Sequence, residues 1–434
     1  MAILDRFPEL RPPIGAEAAL VEADRCLDCS GPYAQAPCTV ACPAGVDVPR
    51  FIRELAAGGT LDAARTIYRE NLLGGTCARV CPVEVLCEGA CVLSHIGQKP
   101  IAIAALQRFA TDAGRDEDLP LRRRSAPTGC RVLVVGAGPA GLSCAGELAA
   151  DGFDVVVVDE HDEVGGVVRT AIAPYRQLVD PLPEERVALE ELGVRFRLGV
   201  WVDSDEDLTD LLGDADAVFL GVGLGADRRL ECPGTELSGV WPSLEFIAAV
   251  KQGRAPDLGE HVIVLGGGNT AIDVAREAIR LGAPQVTIAY RRTREQMPAY
   301  AFEVADAEAE GVAFEWLAAP AALQGDGQVQ RVVFDRLRVG EGRALDVVPG
   351  AQFTLPADSV IAAIGQEPRT EVSNWFGGLD LAHGALTTDA ETGRTSAPYV
   401  YAGGDAINGG ASVVQAVADG KRAARAIEEA LCAT

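Results

Sequence analysis

Eight of the chain's twelve cysteines lie between residues 26 and 91. CLDCSGPYAQAPCTVACP carries Cys26, Cys29, Cys38 and Cys42, and CARVCPVEVLCEGAC carries Cys77, Cys81, Cys87 and Cys91. Disulfide scaffolds belong to small proteins of oxidising compartments, and a 434-residue chain with no secretory pattern is not of that kind. Structural zinc usually takes two short CxxC-like knuckles and has no use for a proline after the last thiolate. Ferredoxin-type runs instead end in a Cys-Pro whose cysteine ligates the other of two clusters. Cys-Pro occurs twice here, at Cys42 with Pro43 and at Cys81 with Pro82. The pattern fits two 4Fe-4S clusters with interleaved ligands better than two zinc ions.

A second chemistry begins at CRVLVVGAGPAGLSCAGELAADGFDVVVVDE. A strand at Val132 to Val135 leads into Gly136, Gly138 and Gly141, with Pro139 and Ala140 opening a helix, and a second strand, Val155 to Val158, ends at Asp159 and Glu160. The first glycine allows a tight turn, the second lets a pyrophosphate approach the backbone, the third permits close helix packing, and the terminal carboxylate accepts ribose hydroxyls. Gly165 and Gly166 follow as candidate contacts. The signature recurs in HVIVLGGGNTAIDVAREAIRLGAPQVTIAYRR, with Gly266, Gly268, Asn269, Thr270 and Ala271 at the turn and Arg291 and Arg292 where a carboxylate would stand. Arginine there suits the 2'-phosphate of NADP, although a solvated turn would look the same; NADP is favoured over NAD. A third Gly-rich stretch, YVYAGGDAINGGASVVQAVADG, places Gly404, Asp405, Ser412 and Val413 between a strand and a helix.

These motifs need a scaffold of matching kinds. Between the cysteine groups, apolar residues recur at helical spacing and break at Gly58 and Gly59, which predicts two short helices, with another after Pro100. The sequence from residue 131 onwards alternates strands and helices, predicting an α/β fold. We expect an all-α iron-sulfur domain over residues 1–118, a charged linker over 119–130, and two Rossmann-like dinucleotide-binding domains, one over 131–240 and 361–434 and one over 241–360. The net charge of −25 opposes nucleic-acid binding, no apolar run spans a bilayer, and the expectation is a cytoplasmic protein. The four histidines are scattered, and Cys130, Cys144, Cys232 and Cys432, far apart in sequence, read as small buried apolar residues rather than a redox pair. Hydride transfer between dinucleotide cofactors requires no dedicated acid or base, so no catalytic residue is assigned.

The Gly-Asp motif resembles that of the two-dinucleotide-binding flavoprotein oxidoreductases. From about residue 20 onwards the chain resembles the glutamate synthase small subunit and the electron-input portion of dihydropyrimidine dehydrogenase, through RCLDC, CPAGVDVPRFI, GGTCARVCP, LCEGAC, GAGPAGL, GGGNTAIDVA, YRRTREQMPA and YAGGDA. That resemblance implies FAD at the first fingerprint and NAD(P)H at the second, with the NAD(P) domain (241–360) inserted in the flavin domain (131–240 and 361–434), and single electrons leaving through two clusters. It implies Cys26, Cys29, Cys38 and Cys91 for one cluster and Cys42, Cys81, Cys87 and Gln107 for the other; a rival assignment uses Cys77 instead of Gln107. Two departures stand out: a long Cys29–Cys38 spacing, and AIAPYRQ, where the family carries a GIPxYR-like segment near the flavin. The implied partner is a catalytic subunit (of glutamate synthase, dihydropyrimidine dehydrogenase, or a molybdenum or tungsten enzyme) or a ferredoxin. A docking subunit with an inactive nucleotide site is the alternative.

Overall fold

The structure, a computed structural model, describes residues 7–31, 34–117, 119–120, 122–202, 205–254, 256–340 and 344–432. Residues 1–6, 32–33 and 118 of the expected helical domain and Leu121 of the expected linker lie outside the described residues. The chain divides into two compact units, one of Met1–Glu9, Thr170–Leu178 and Gly225–Glu367, the other of Leu10–Arg169, Val179–Leu224 and Pro368–Thr434.

The second of these units joins a helical region to an α/β layer. Its helices include Val48–Ala56 and Thr60–Glu70, separated at the two predicted glycines, then Gly74–Val80 and Ile103–Asp116. Asp47 caps the first of them, its carboxylate accepting the Arg50 amide at 3.3 Å with Pro49 in the opening turn. Their apolar faces bury Phe51, Ile52, Leu55, Ile67 and Leu106. The sheet is five-stranded and parallel, in the order Val400–Ala402, Ala217–Leu220, Arg131–Val135, Asp154–Val158, Arg195–Arg197. RVLVV is buried almost throughout, as a central parallel strand covered on both faces must be. In register, Val135 stands beside both Val158 and Leu220, and Leu220 beside Ala402, so the strands end together at Gly136, Asp159, Gly221 and Gly403.

Two helices, Pro139–Ala150 and Val413–Cys432, pack against each other at backbone contact beside this sheet. A Cβ on Gly420 would lie 2.2 Å from the Ala140 carbonyl oxygen, and the Ser143 hydroxyl donates to the Val417 carbonyl at 2.9 Å. The helical region is keyed to the same layer. Lys421, buried in the second helix, donates to the carbonyl oxygens of Ala44 at 2.8 Å and Glu70 at 2.5 Å, and Arg122 pairs with Glu147 at 2.6 Å. Ala44 directly follows the first Cys-Pro, so the cysteine-bearing backbone is fixed to a helix of the fingerprint layer.

The other unit is built on a second five-stranded parallel sheet, in the order Val240–Pro242, Ser359–Ala362, His261–Leu265, Gln285–Tyr290, Ala313–Trp316. A four-stranded antiparallel sheet, Ala318–Asp326 to Phe353–Pro356, packs Leu323, Val329, Val332 and Phe334 against Ile263 and Leu265. Sequence reading did not foresee this second sheet. The chain passes between the two units at residues 224/225 and 367/368.

Candidate flavin, nucleotide and iron-sulfur sites

Two kinds of glycine make up the first fingerprint. Gly136 has φ +104° and an added Cβ would lie 2.3 Å from the Gly221 carbonyl oxygen, while a Cβ on Gly141 would lie 1.8 Å from that of Gly136. Both are required by the fold. Gly138 differs: its φ is −76°, open to any residue, and an added Cβ meets nothing within 4 Å. The space in front of it is kept clear at the amino end of the helix that Pro139 begins, where free N–H groups and the helix dipole favour a pyrophosphate. Asp159 accepts the Ala137 amide at 2.6 Å and the His161 amide at 2.8 Å, which holds its carboxylate at the strand end. Gly165 donates to the Ala137 carbonyl at 2.8 Å, and Gly166 lies so close to Gly138 that its Cβ would be 3.2 Å from the Gly138 Cα. Gly404 approaches Ala140 from the third Gly-rich stretch. Asp405 begins the short helix after it, accepts the Ala411 amide at 3.1 Å, and is pushed up in pKa by burial. Ser412 caps the long helix that opens at Val413, its hydroxyl accepting the Gln415 amide at 3.3 Å.

A cleft beside these residues is lined by Gly136, Asp159, Glu160, Trp201, Arg369 and Trp375 among others. Glu160 forms an ion pair with Arg369 across it. The Trp375 indole N–H is buried without a protein partner. Neither tryptophan nor Arg369 carries a sequence signal, because nothing in their spacing points to the strand ends they face.

In the other unit, at the second fingerprint, Gly266 has φ +144° and its Cβ would lie 2.1 Å from the Ala363 carbonyl oxygen. Ala271 is buried and Thr270 exposed. Gly268 matches Gly138, with φ −86° and no atom within 4 Å of an added Cβ. Asn269 accepts the Tyr300 amide at 3.0 Å, binding the helix start to the loop that follows the second strand. Arg291 and Arg292 stand exposed at the end of that strand. Arg294, two residues further on, is paired with Glu308 at 2.7 Å.

The structure gathers the cysteines into two sets. Cys26, Cys29, Cys38 and Cys91 line one pocket together with Leu27, Pro37 and Ile101. Cys42, Cys77, Cys81 and Cys87 neighbour one another in the second set: Cys81 lies beside Cys77, one turn back on the helix Gly74–Val80, and within electrostatic reach of Cys42 and Cys87. Gln107, on the helix Ile103–Asp116, donates its amide to the Gly74 carbonyl at 2.9 Å. That hydrogen bond fixes which way the amide faces, as an outer partner orients a metal ligand. Burial raises the Cys26 and Cys42 thiols and pushes Cys38 up to about 12; the neighbouring Cys77, then burial, raises Cys81 well above the usual range. Such thiols keep their protons at neutral pH until metal displaces them. Among the described residues no three His, Cys, Asp or Glu side chains are close enough to share one metal ion. The set Cys26, Cys29, Cys38 and Cys91, arranged round a pocket rather than round a point, suits a cuboidal cluster, whose irons hold thiolates further apart than the ~2.3 Å bonds of a single zinc would.

Of the four remaining cysteines only Cys144 is buried; Cys130 and Cys232 are half-buried and Cys432 is exposed, a correction to the reading of all four as core residues. Composition alone cannot distinguish a cysteine inside a packed helix from one on the last turn of the terminal helix.

One buried carboxyl in this unit had no sequence signal. Glu185 accepts the Thr76 amide at 2.9 Å and the Thr76 hydroxyl at 2.6 Å, next to Cys77, and burial raises its pKa to about 7 from the usual 4.5. The folded chain therefore holds this proton where the unfolded chain has released it. The resulting stability is present in full below about 4.5 and is lost as pH rises through about 7. We expect the melting temperature of the holoprotein to fall between pH 5.5 and 8, and Glu185→Gln to flatten that slope; an unchanged slope would assign the dependence to other groups.

Residues 130–420 match the pyridine nucleotide-disulphide oxidoreductase family, and residues 4–119 match dihydropyrimidine dehydrogenase domain II, 4Fe-4S cluster. The chain belongs to the pyridine nucleotide-disulphide oxidoreductases. Within them it groups with the glutamate synthase small subunits: it is 36% identical over 444 residues to the glutamate synthase [NADPH] small chain of Halomonas elongata, covering 97% of this chain and 93% of that one. It is also 33% identical to the NAD-dependent dihydropyrimidine dehydrogenase subunit PreT of Salmonella typhimurium, over 98% of this chain and 97% of that one. The fold is shared with Mycobacterium tuberculosis FprA in complex with NADPH, at 22% identity and a TM-score of 0.56, over 70% of this chain and 85% of that one. This family member is thus an oxidoreductase using FAD, a pyridine nucleotide and 4Fe-4S iron-sulfur chemistry. Among the described residues no helix is long and apolar enough to cross a membrane.

Proposed function

We propose that the chain takes hydride from NADPH onto FAD and passes single electrons through two 4Fe-4S clusters to a catalytic subunit. FAD supplies the conversion of a hydride pair into single electrons; the chain orients the cofactors, excludes water and fixes their separation. Gly136, Gly138, Gly141, Asp159, Gly404 and Asp405 hold FAD, and Gly266, Gly268, Arg291 and Arg292 hold the nucleotide. One cluster is ligated by Cys26, Cys29, Cys38 and Cys91. The other is ligated by Cys42, Cys81 and Cys87 with Gln107, whose fixed amide supports the role, and Cys77 is the competing fourth ligand. The helical cluster domain ends near residue 118, and the nucleotide domain occupies most of residues 225–367.

The observation that carries this reading is that the cysteine-bearing helices and the first fingerprint lie in one compact unit, keyed together through Lys421. A docking protein would have no need to lock its clusters to a flavin layer. Anaerobic titration of the cluster-replete chain with NADPH and with NADH, followed by flavin and iron-sulfur absorbance, tests it. Flavin bleaching followed by cluster reduction is expected; absence of bleaching by either nucleotide overturns it.

The exposed arginines support NADPH over NADH. Changing Arg291 and Arg292 together to alanine is expected to weaken NADPH about 10- to 100-fold while moving NADH less than about threefold, since each charge-assisted bond to the 2'-phosphate is lost only for NADPH. Equal losses would remove the assignment.

A further inference from the structure

AIAPYRQ is set apart in sequence by its displaced proline, and the assignment of cofactor sites leaves it without a role. Residues Thr170–Leu178 belong to the nucleotide unit, although the chain on either side belongs to the flavin unit. The strap is fastened there by buried polar contacts rather than by apolar packing alone. The Tyr175 hydroxyl donates to Asp273 at 2.5 Å, and the Arg176 guanidinium meets the same carboxylate at 2.5 and 2.9 Å. Arg176 also reaches Glu303 at 2.7 Å. The Tyr175 ring is fully buried, with Arg280 4.4 Å and Arg276 5.0 Å from its centroid. Lys251 donates to the Ile172 carbonyl at 3.0 Å.

The position of Asp273 gives these contacts a functional meaning. It lies one turn inside the helix Asn269–Leu281, whose amino end is the nucleotide cradle, about 6 Å along the axis from Asn269. Glu303 lies on the helix Ala301–Ala309, which follows the loop bearing Arg291 and Arg292. Unpaired, these two carboxylates would repel a pyrophosphate and each other. Glu277, one turn further along, is fully buried with neither oxygen hydrogen-bonded, and burial pushes its pKa well up. Among the described residues, Arg176 is the one hydrogen-bonded to both Asp273 and Glu303.

We propose that Arg176 is a positioning residue for nucleotide binding: carried in by the strap Thr170–Leu178, it neutralises Asp273 and Glu303 and fixes the cradle helix against the helix behind the arginine loop. NADP(H) affinity is then set by a segment outside the second fingerprint and its sheet. The inference rests on the reading that Gly268 marks the nucleotide site.

The test measures NADP+ affinity of the full-length holoprotein by calorimetry, with FAD and iron assayed on the same samples. Arg176→Gln is expected to weaken NADP+ about tenfold with FAD and iron unchanged, and Arg176→Lys to recover most of that loss. Combining Arg176→Gln with Asp273→Asn and Glu303→Gln should return binding to within about threefold of wild type, a rescue that loss of packing would not give. Wild-type affinity in Arg176→Gln, or a triple variant as weak as the single, overturns the proposal. If Arg176→Gln is insoluble, the Asp273→Asn/Glu303→Gln double variant carries the test. It leaves Arg176 unneutralised near the cradle and should tighten NADP+ severalfold, and unchanged binding overturns the proposal. Gly268→Leu in the same series separates the two readings: normal NADP+ binding there would remove the site itself, whereas its loss alongside a normal Arg176→Gln would remove only the role of Arg176.

Discussion

Gly268→Leu is expected to yield a chain that purifies with its FAD and iron but that NADPH reduces at least about 100-fold more slowly than wild type. The reasoning is steric. Gly268 has a backbone conformation open to any L residue and no neighbour within 4 Å of an added Cβ, so the substitution leaves the apo fold unstrained. What leucine occupies is the space a pyrophosphate needs at the helix start. Gly138→Leu should have the mirror effect, a folded chain that retains iron but has lost FAD. Gly141 serves as the control, because a Cβ there would sit 1.8 Å from the Gly136 carbonyl oxygen and any larger residue should prevent folding. Stopped-flow absorbance and released-flavin assays distinguish the three. Loss of FAD from Gly268→Leu with nucleotide binding retained would exchange the two site assignments.

The second large effect concerns iron. Cys81→Ala should lower the iron content from about eight to about four atoms per chain, and remove one of two reduced-cluster EPR signals. Cys81 lies beside Cys77 and near Cys42 and Cys87, and its loss leaves the set one ligand short; because Cys77 is the one adjacent thiol outside the assigned set, the Cys77→Ala/Cys81→Ala double variant is expected to show the same four irons as Cys81→Ala alone. Gln107→Leu and Cys77→Ala then decide the fourth ligand. Our assignment expects Gln107→Leu to lose the same cluster or shift its signal, and Cys77→Ala to keep about eight irons. The opposite pair of results would place Cys77 on the cluster and leave Gln107 as a helix-packing residue bonded to Gly74.

Much of this site was legible in the sequence, for identifiable reasons. Strand, glycine turn and helix are contiguous in each fingerprint, so local pattern alone marks Gly136, Gly138 and Gly141, and again Gly266 and Gly268. The two helices separated at Gly58 and Gly59 form as expected because their apolar spacing and breakers are local too. Contacts that join distant parts of the chain were not legible. Trp375 reaches the first strand end from the C-terminal third, Glu185 meets Thr76 across 109 positions, and Arg176 meets Asp273 across 97. Each is an ordinary residue type whose role arises only from tertiary packing. The antiparallel sheet Ala318–Asp326 to Phe353–Pro356 escaped notice for a different reason: its strands carry polar and charged residues on the exposed face and lack any motif.

The Lys421 contact has a consequence for how the protein is made. Its ammonium fills two backbone carbonyls beside the cysteine-bearing helices, 377 residues earlier in the chain at Ala44 and 351 earlier at Glu70. During synthesis from the N-terminus, the cluster region leaves the ribosome long before the residue that completes its packing exists. The Ala44 and Glu70 carbonyls therefore lack this partner until residue 421 has been translated. The locking of the cysteine-bearing region onto the first fingerprint layer thus comes late in synthesis.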